Sequence, residues 1–305
     1  MNRFKRSWLL LKSSLSVIAS NKQLLFFPVV IFTCTVAIGA LFLGPPLLRP
    51  TGHSYLSGEH WNAIWHSLFV SSGDSHNQRV TLTPGAAVYF AFLYFVSMFI
   101  ATFCNVAFYH EILAALSGQA VSIGRGLKFA MSRLGAIFLW TAFAGLVGFI
   151  IRMIEQRLSW VGQIIGGLIG LAWSVASVFV IPVIVREEKT ANPFSVLRKS
   201  AGVLKQTWGE ALIGYVGLGF ANTIIMLGSV MFLIASVVMS VLLNNFLILG
   251  LAGVVWFLGI CAWSYVAGVA SNVYRGALYL YAAEGTIPAP YDQEMLDMAW
   301  KFKKS

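Results

Sequence analysis

The chain has 305 residues, of which 58% are hydrophobic and only 10% charged, and its formal net charge is +10. A soluble domain carries about 25% charged residues, whereas apolar runs of about 20 residues, the length a helix needs to cross a hydrocarbon core, recur along this chain. These features exclude an ordinary soluble domain. No ten-residue alternating segments point to a β-barrel, so the expectation is an all-α polytopic membrane protein.

Residues 1–20 read "MNRFKRSWLLLKSSLSVIAS". Lys12 and several serines interrupt the apolar stretch and no small-x-small cleavage site follows, so this is not a signal peptide. Phe4, Trp8, Leu11, Leu15 and Ile18 share one helical face, with Arg3, Arg6 and Lys12 mostly off it. The pattern predicts an amphipathic helix lying on the inner leaflet. A first span is expected over about 24–44, with Pro28 in its first turns and Pro45-Pro46 ending it.

The outer loop, about 45–83, holds His53, His60, His66 and His76 with Glu59 and Asp74. His60 and His66 project from different faces of a helix, and no HxH or HxxxH spacing occurs, so a polar loop is a better reading than a metal site. Trp61, Ile64, Trp65 and Leu68 within it predict a short helix on the outer interface.

Thr83-Pro84-Gly85 opens a second span, about 84–108, with proline where a first turn tolerates it. The span runs into "NVAFYHEILAALSG", Asn105 to Gly118. His110-Glu111 begins like the zinc motif HExxH, but position 114 is Ala, and without the second ligand that chemistry is rejected. A frame of the same length, "NVYRGALYLYAAEG", Asn272 to Gly285, ends the sixth span. Both frames start Asn-Val and end in Gly, the usual residue just past a helix C-terminus. Each would add roughly 20 Å of helix. Ala277 and Leu278 stand where the first copy has His110 and Glu111, so the shared features are the asparagine and the helix end. Asn105 and Asn272 are the candidates for helix–helix contacts, and Glu111 is expected at a cytoplasmic end within reach of water.

The remaining spans are expected at about 135–153, 162–185, 211–239 and 246–274. Pro182 is placed to kink the fourth. Gly162, Gly166 and Gly170 make consecutive GxxxG steps there, which let helices approach closely. Packing inside the chain is the expectation, ahead of a dimer face. Asn222 is the most deeply placed strong polar side chain, either bonding a neighbouring helix or lining a polar cavity. No Asp or Glu occupies the middle of a span, which argues against a proton-coupled pump. Cys34, Cys104 and Cys261 lie inside apolar runs and read as packing residues.

With the N-terminus inside, only Arg49, Arg79, Arg152 and Arg157 of the 21 Lys and Arg fall outside. Both termini are therefore expected in the cytoplasm. The basic charge is explained by topology and anionic lipid headgroups, with no nucleic-acid partner.

Two further amphipathic segments precede spans 3 and 5. One carries Ile123, Leu127, Ala130 and Leu134 with Arg125, Lys128 and Arg133; the other carries Phe194, Leu197, Ala201, Leu204 and Trp208 with Arg198, Lys199 and Lys205. Leu11-Lys12, Leu127-Lys128 and Leu197-Arg198 stand in one register, each followed seven positions after the leucine by Ile18, Leu134 or Leu204. This predicts a threefold internal repeat of one membrane domain, 1–285, in units of about 1–118, 119–190 and 191–285, with a cytoplasmic tail over 286–305. Each unit starts inside, so the repeats are parallel.

The stretches "RSWLLLKSS", "LLFFP", "VIPVIVREE" and "LRKSAGVLKQTWGE" resemble an uncharacterised family of bacterial six-span membrane proteins. A looser likeness, in architecture alone, is to the membrane domains fused to some glycerophosphodiester phosphodiesterases. The resemblance implies a bacterial inner membrane and supplies no catalytic residues.

The functional expectation is a non-enzymatic integral membrane protein that organises lipid or partner proteins, with homo-oligomers allowed. The alternative is a transporter or channel for a small or lipid-like solute. An intramembrane enzyme comes last: it would need Tyr109, His110 and Glu111 to face a cleft together with Arg275. No catalytic residue, metal or cofactor is expected.

Overall fold

The computed structural model describes residues 3–72, 79–157, 160–187, 192–292 and 296, with the side chains at 3–7, 72, 79, 156–157, 160–163, 206–222 and 224 outside that description. Among the described residues, six helical segments are long and apolar enough to cross a membrane: Lys22–Leu47, Pro84–Leu116, Leu134–Glu155, Ile164–Arg186, Ile225–Leu242 and Phe246–Glu284. The protein is all-α and polytopic.

Helix α1 (Arg3–Ser20) passes through a 3-10 turn, Lys22–Leu25, into α2 (Phe26–Leu47). The long connection, expected as a polar loop with one helix, holds α3 (Gly58–Leu68) and an antiparallel hairpin of β1 (Phe69–Ser72) and β2 (Arg79–Leu82), with Phe69 opposite Leu82. Then follow α4 (Pro84–Leu116), α5 (Ile123–Ser132), α6 (Leu134–Arg157), α7 (Trp160–Ala176), α8 (Val180–Arg186), α9 (Pro193–Leu242) and α10 (Phe246–Glu284).

Prolines shape the spans through the donors they lack. Pro45 and Pro46 lie inside the last turn of α2 rather than beyond it. Pro46 has no N–H for the Phe42 carbonyl, and the Tyr89 hydroxyl of α4 donates to that carbonyl instead. Pro182 likewise cannot donate to Val178, and the fourth span breaks at 177–179, between α7 and α8. Ser200 of α9 bridges the break. Its hydroxyl donates to the Ala176 carbonyl at 2.6 Å and accepts from the Phe179 N–H at 3.0 Å. Such re-partnering matters because an unsatisfied backbone group in a bilayer costs about several kcal/mol. At the start of α4, Thr83 Oγ1 accepts from the Ala86 N–H at 3.3 Å, and Pro84 takes the first turn as expected.

The core is not midway along the spans. It lies at one end, here called the base, where residues 102–116 of α4, 269–280 of α10 and 180–185 of α8 are largely buried. Elsewhere, at most 33% of any span's most apolar window is buried inside the protein. Phe32, Val88, Leu168, Met231 and Leu251 are exposed there, as side chains that face lipid are.

Helices α1, α5 and the first turns of α9 surround the base. Their buried faces differ from the expected ones. On α1, Leu10, Leu11, Ser14, Val17 and Ile18 are buried while Trp8 is 54% exposed. On α9, Val196, Ser200 and Leu204 are buried while Phe194 is 66% exposed. The reason is that serine is small and can hide its hydroxyl against a carbonyl. Ser14 Oγ donates to Leu10 O at 3.0 Å and pairs with the Tyr291 hydroxyl at 2.8 Å. The N-terminal helix and the segment after α10 therefore meet at the base, and burial pushes the Tyr291 phenol up.

Candidate functional site

The site sits where α4 and α10 cross. Glycine sets their approach: a Cβ on Gly276 would stand 2.8 Å from Ile112 Cγ2 and 3.3 Å from Leu116 Cδ1. One turn away the Tyr109 hydroxyl donates to Asn272 Oδ1 at 2.9 Å. Asn272 is thus the helix–helix contact its repeated frame suggested. Asn105 Nδ2 donates to the Ala101 carbonyl of its own helix at 2.8 Å. Asn272 Nδ2 makes the equivalent bond to Gly268 O at 3.0 Å. Both frames end as expected, with Gly118 (φ +77°) and Gly285 (φ +65°) left-handed after α4 and α10.

Glu111 is a correction. It does not reach water; its side chain is fully buried. Burial leaves a carboxylate tolerable only if it is paired and hydrogen-bonded. Four contacts do this. Arg125 Nε donates to Oε1 at 2.9 Å and Nη2 to Oε2 at 2.7 Å, a two-pronged pairing. The Ser122 N–H donates to Oε2 at 2.7 Å, and His110 Nδ1 lies 2.9 Å from Oε1. The hydrogen bonds to Glu111 hold the Arg125 pKa above its ordinary value.

Helix α5 brings Arg125 there because it can lie flat on α4. A Cβ on Gly126 would meet Ala107 O at 2.8 Å and Glu111 Cγ at 2.9 Å. Ser122 caps α5, its hydroxyl accepting from the Arg125 N–H at 3.4 Å. The His110 ring stacks on Phe129 of α5, with centroids 4.1 Å apart and planes 24° from parallel.

Beside this cluster lies a cavity of about 290 Å³, whose polar lining is His110, Ser117, Gln119, Arg133 and Arg186. Among the described residues, no carboxylate lines it. The Arg133 guanidinium stands 5.3 Å from the Phe129 ring centre. Arg186, at the end of α8, pairs with Glu284 of α10 through Nε at 2.8 Å. Tyr109, Glu111 and Arg275, the set an intramembrane enzyme would need to share with His110, do not line it.

The other sequence candidates are dispersed. Gly166 and Gly170 pack α7 on α6: a Cβ on Gly166 would stand 2.4 Å from Glu155 Cγ, and one on Gly170 would stand 3.9 Å from Ile151 Cγ2. Gly162 and Asn222 lie outside the described side chains. In the connection, His60 is buried, its Nδ1 2.6 Å from Thr51 Oγ1, while His53 pairs with Glu59 at 3.0 Å. His76 and Asp74 lie outside the described residues. Gly126, Gly276 and Ser200 were not legible as site residues, because their role comes from the partner helix each one meets. Arg125 was visible only as a charge on an amphipathic face.

Six apolar spans with a packed base define a multi-pass membrane protein. A family model matches residues 84–288, that of a family of unknown function, DUF6159. The match covers more than half of the chain, and the protein belongs to that family. No curated protein and no solved structure matches it.

Proposed function

We propose that the protein is a non-enzymatic integral membrane protein whose base faces the cytoplasm and gathers anionic lipid headgroups around it. The observation that carries this reading is the placement of exposed cations on the helices around the base. Lys12 of α1, Lys128 of α5 and Arg198 of α9 are exposed, each beside a buried or half-buried leucine. On the topology expected from the sequence, the far side carries only Arg49, Arg79, Arg152 and Arg157. A basic base belongs on the cytoplasmic side. Each cation near an anionic surface contributes about 1 kcal/mol of attraction. The three parallel units expected from the sequence, and a bacterial inner membrane, belong to the same proposal.

The test is lipid enrichment around the full chain in vesicles of mixed phosphatidylglycerol and phosphatidylcholine, read with spin-labelled lipids. Phosphatidylglycerol should be enriched at the protein, and reversing Lys12, Lys128 and Arg198 to Glu should remove most of the preference. Equal occupancy by both lipids in the unaltered protein would overturn the reading.

A second reading, passage of a lipid-like solute, is favoured by one feature. A cleft of about 260 Å³ between α9 and α10 is lined by Met226, Phe232, Ile260 and Trp263, with Trp256 Nε1 unpartnered among the described residues. Its apolar walls suit an acyl chain rather than a polar solute.

A further inference from the structure

The long connection carries an apolar surface that the spans do not explain. Helix α3 lies across the far ends of α2 and α4, opposite the base. At its start His60 is fixed to the end of α2, with Nδ1 2.6 Å from Thr51 Oγ1 and Nε2 3.4 Å from the Leu47 carbonyl. At its end, on the threshold of α4, the Thr83 N–H donates to Leu68 O at 2.9 Å and Thr83 Oγ1 donates to Ser67 O at 3.2 Å. Two triplets one turn apart then set the faces of α3: His60-Trp61-Asn62 and Ile64-Trp65-His66. Successive residues turn about 100° round a helix. His60 and Ile64 are buried against the protein, so Ile64 is not on the bilayer interface where its spacing from Trp61 placed it. Asn62 and His66 are exposed on the side turned away. Trp61 and Trp65, each 48% exposed, fall between the two and look sideways. This flank extends in both directions. Trp65 stacks on Phe69 with ring centres 4.1 Å apart, and Phe69 stands opposite the exposed Leu82, on the same face of the hairpin root. Trp61 Nε1 donates to Tyr55 O at 3.0 Å, which brings the exposed Leu56 to the other end.

We propose that Trp61, Trp65, Phe69 and Leu82 form a lipid-binding flank, which inserts into the glycerol and carbonyl layer of the leaflet opposite the base and holds α3 flat across the span ends. The level of the flank is that of the ends of two spans, and the exposed Leu47 and Leu48 at the end of α2 make it continuous with the lipid-facing surface. Its main residues are indoles, which combine apolar bulk with a single N–H donor and are enriched at that depth. The same helix turns Asn62 and His66 away from the spans, as a helix lying in the interface turns its polar face to water. The flank residues carry no charge, so they take zwitterionic and anionic lipid alike and act apart from the cations around the base.

The experiment is fluorescence quenching of the full chain in vesicles of phosphatidylcholine alone. Cys34, Cys104 and Cys261 are replaced by serine, and a bimane label is placed on one new cysteine at a time. Trp65→Cys and Leu82→Cys report the flank; Asn62→Cys and His66→Cys report the outward face. Iodide on both sides of the membrane quenches labels in water. A phosphatidylcholine with a nitroxide near the top of its acyl chain quenches labels in the interface. Nitroxide quenching several-fold stronger at Trp65→Cys and Leu82→Cys than at Asn62→Cys and His66→Cys, with the iodide order reversed, supports the flank. Leu82→Cys leaves the stack of Trp65 on Phe69 intact, and so tests the proposal even if the Trp65 variant misfolds. Iodide reaching the flank labels as readily as Asn62→Cys, without nitroxide quenching, overturns it and leaves the surface to a protein partner. Equal nitroxide quenching at every labelled position also overturns it, because α3 would then have no face in water. Phosphatidylcholine carries no net charge, so these outcomes are independent of the headgroup preference proposed for the base.

Discussion

Glu111 and Arg125 are unequal partners, and the inequality sets what a substitution does. Glu111 is fully buried, whereas the Arg125 side chain is 39% exposed. Removing one partner of a buried pair costs about 3–5 kcal/mol when it strands the other charge. Arg125→Met strands Glu111, which cannot reach water. Glu111→Gln keeps an acceptor for the Ser122 N–H and lets Arg125 turn outward, so its cost is that of lost charged hydrogen bonds, about 1.5–3 kcal/mol. Thermal unfolding of the purified protein should place Arg125→Met below Glu111→Gln, and both below the unaltered chain. The reverse order would mean that Arg125, not Glu111, depends on the pair. The pair itself could not be read in advance. Glu111 sits within a helix-end frame whose exposure depends on whether α5 folds back over it, and only Gly126 permits that.

At the scale of elements, glycine governs which helices touch. The GxxxG steps of the fourth span were conspicuous, and Gly166 and Gly170 do face α6. Gly276 carries more, because it sits in the α4–α10 crossing with Ile112 at 2.8 Å from where a Cβ would stand. Gly276→Val forces that neighbour aside, and overpacking of this kind costs about 1–3 kcal/mol. A lowered unfolding temperature, with the helical signal retained, is the expected result. An unchanged temperature would show that α10 slides freely on α4. Span positions were legible because apolar length is a one-dimensional property. The faces of α1 and α9 were not. Ser14 and Ser200 look polar in sequence, yet each is buried with its hydroxyl donating to a carbonyl. The hairpin β1–β2 was likewise missed, since its strands are four residues each, too short for alternation to stand out.

The whole molecule divides into a packed base and spans that bury little of themselves. Its long helices explain the division: α4 and α10 have 33 and 39 residues, where about 20 suffice to cross a hydrocarbon core. The surplus gives α4 and α10 end segments that cross each other, and α1, α5, α8 and α9 close around them. The proposed gathering of anionic lipid depends on which side of the membrane this base occupies. The direct measurement is thiol labelling with an impermeant maleimide in intact cells, after Cys34, Cys104 and Cys261 are replaced by serine. Ser71→Cys, in the exposed part of β1, should label in intact cells, and Lys205→Cys, exposed on α9, only after lysis. Lys205→Cys labelled in intact cells, with Ser71→Cys protected, would contradict the account.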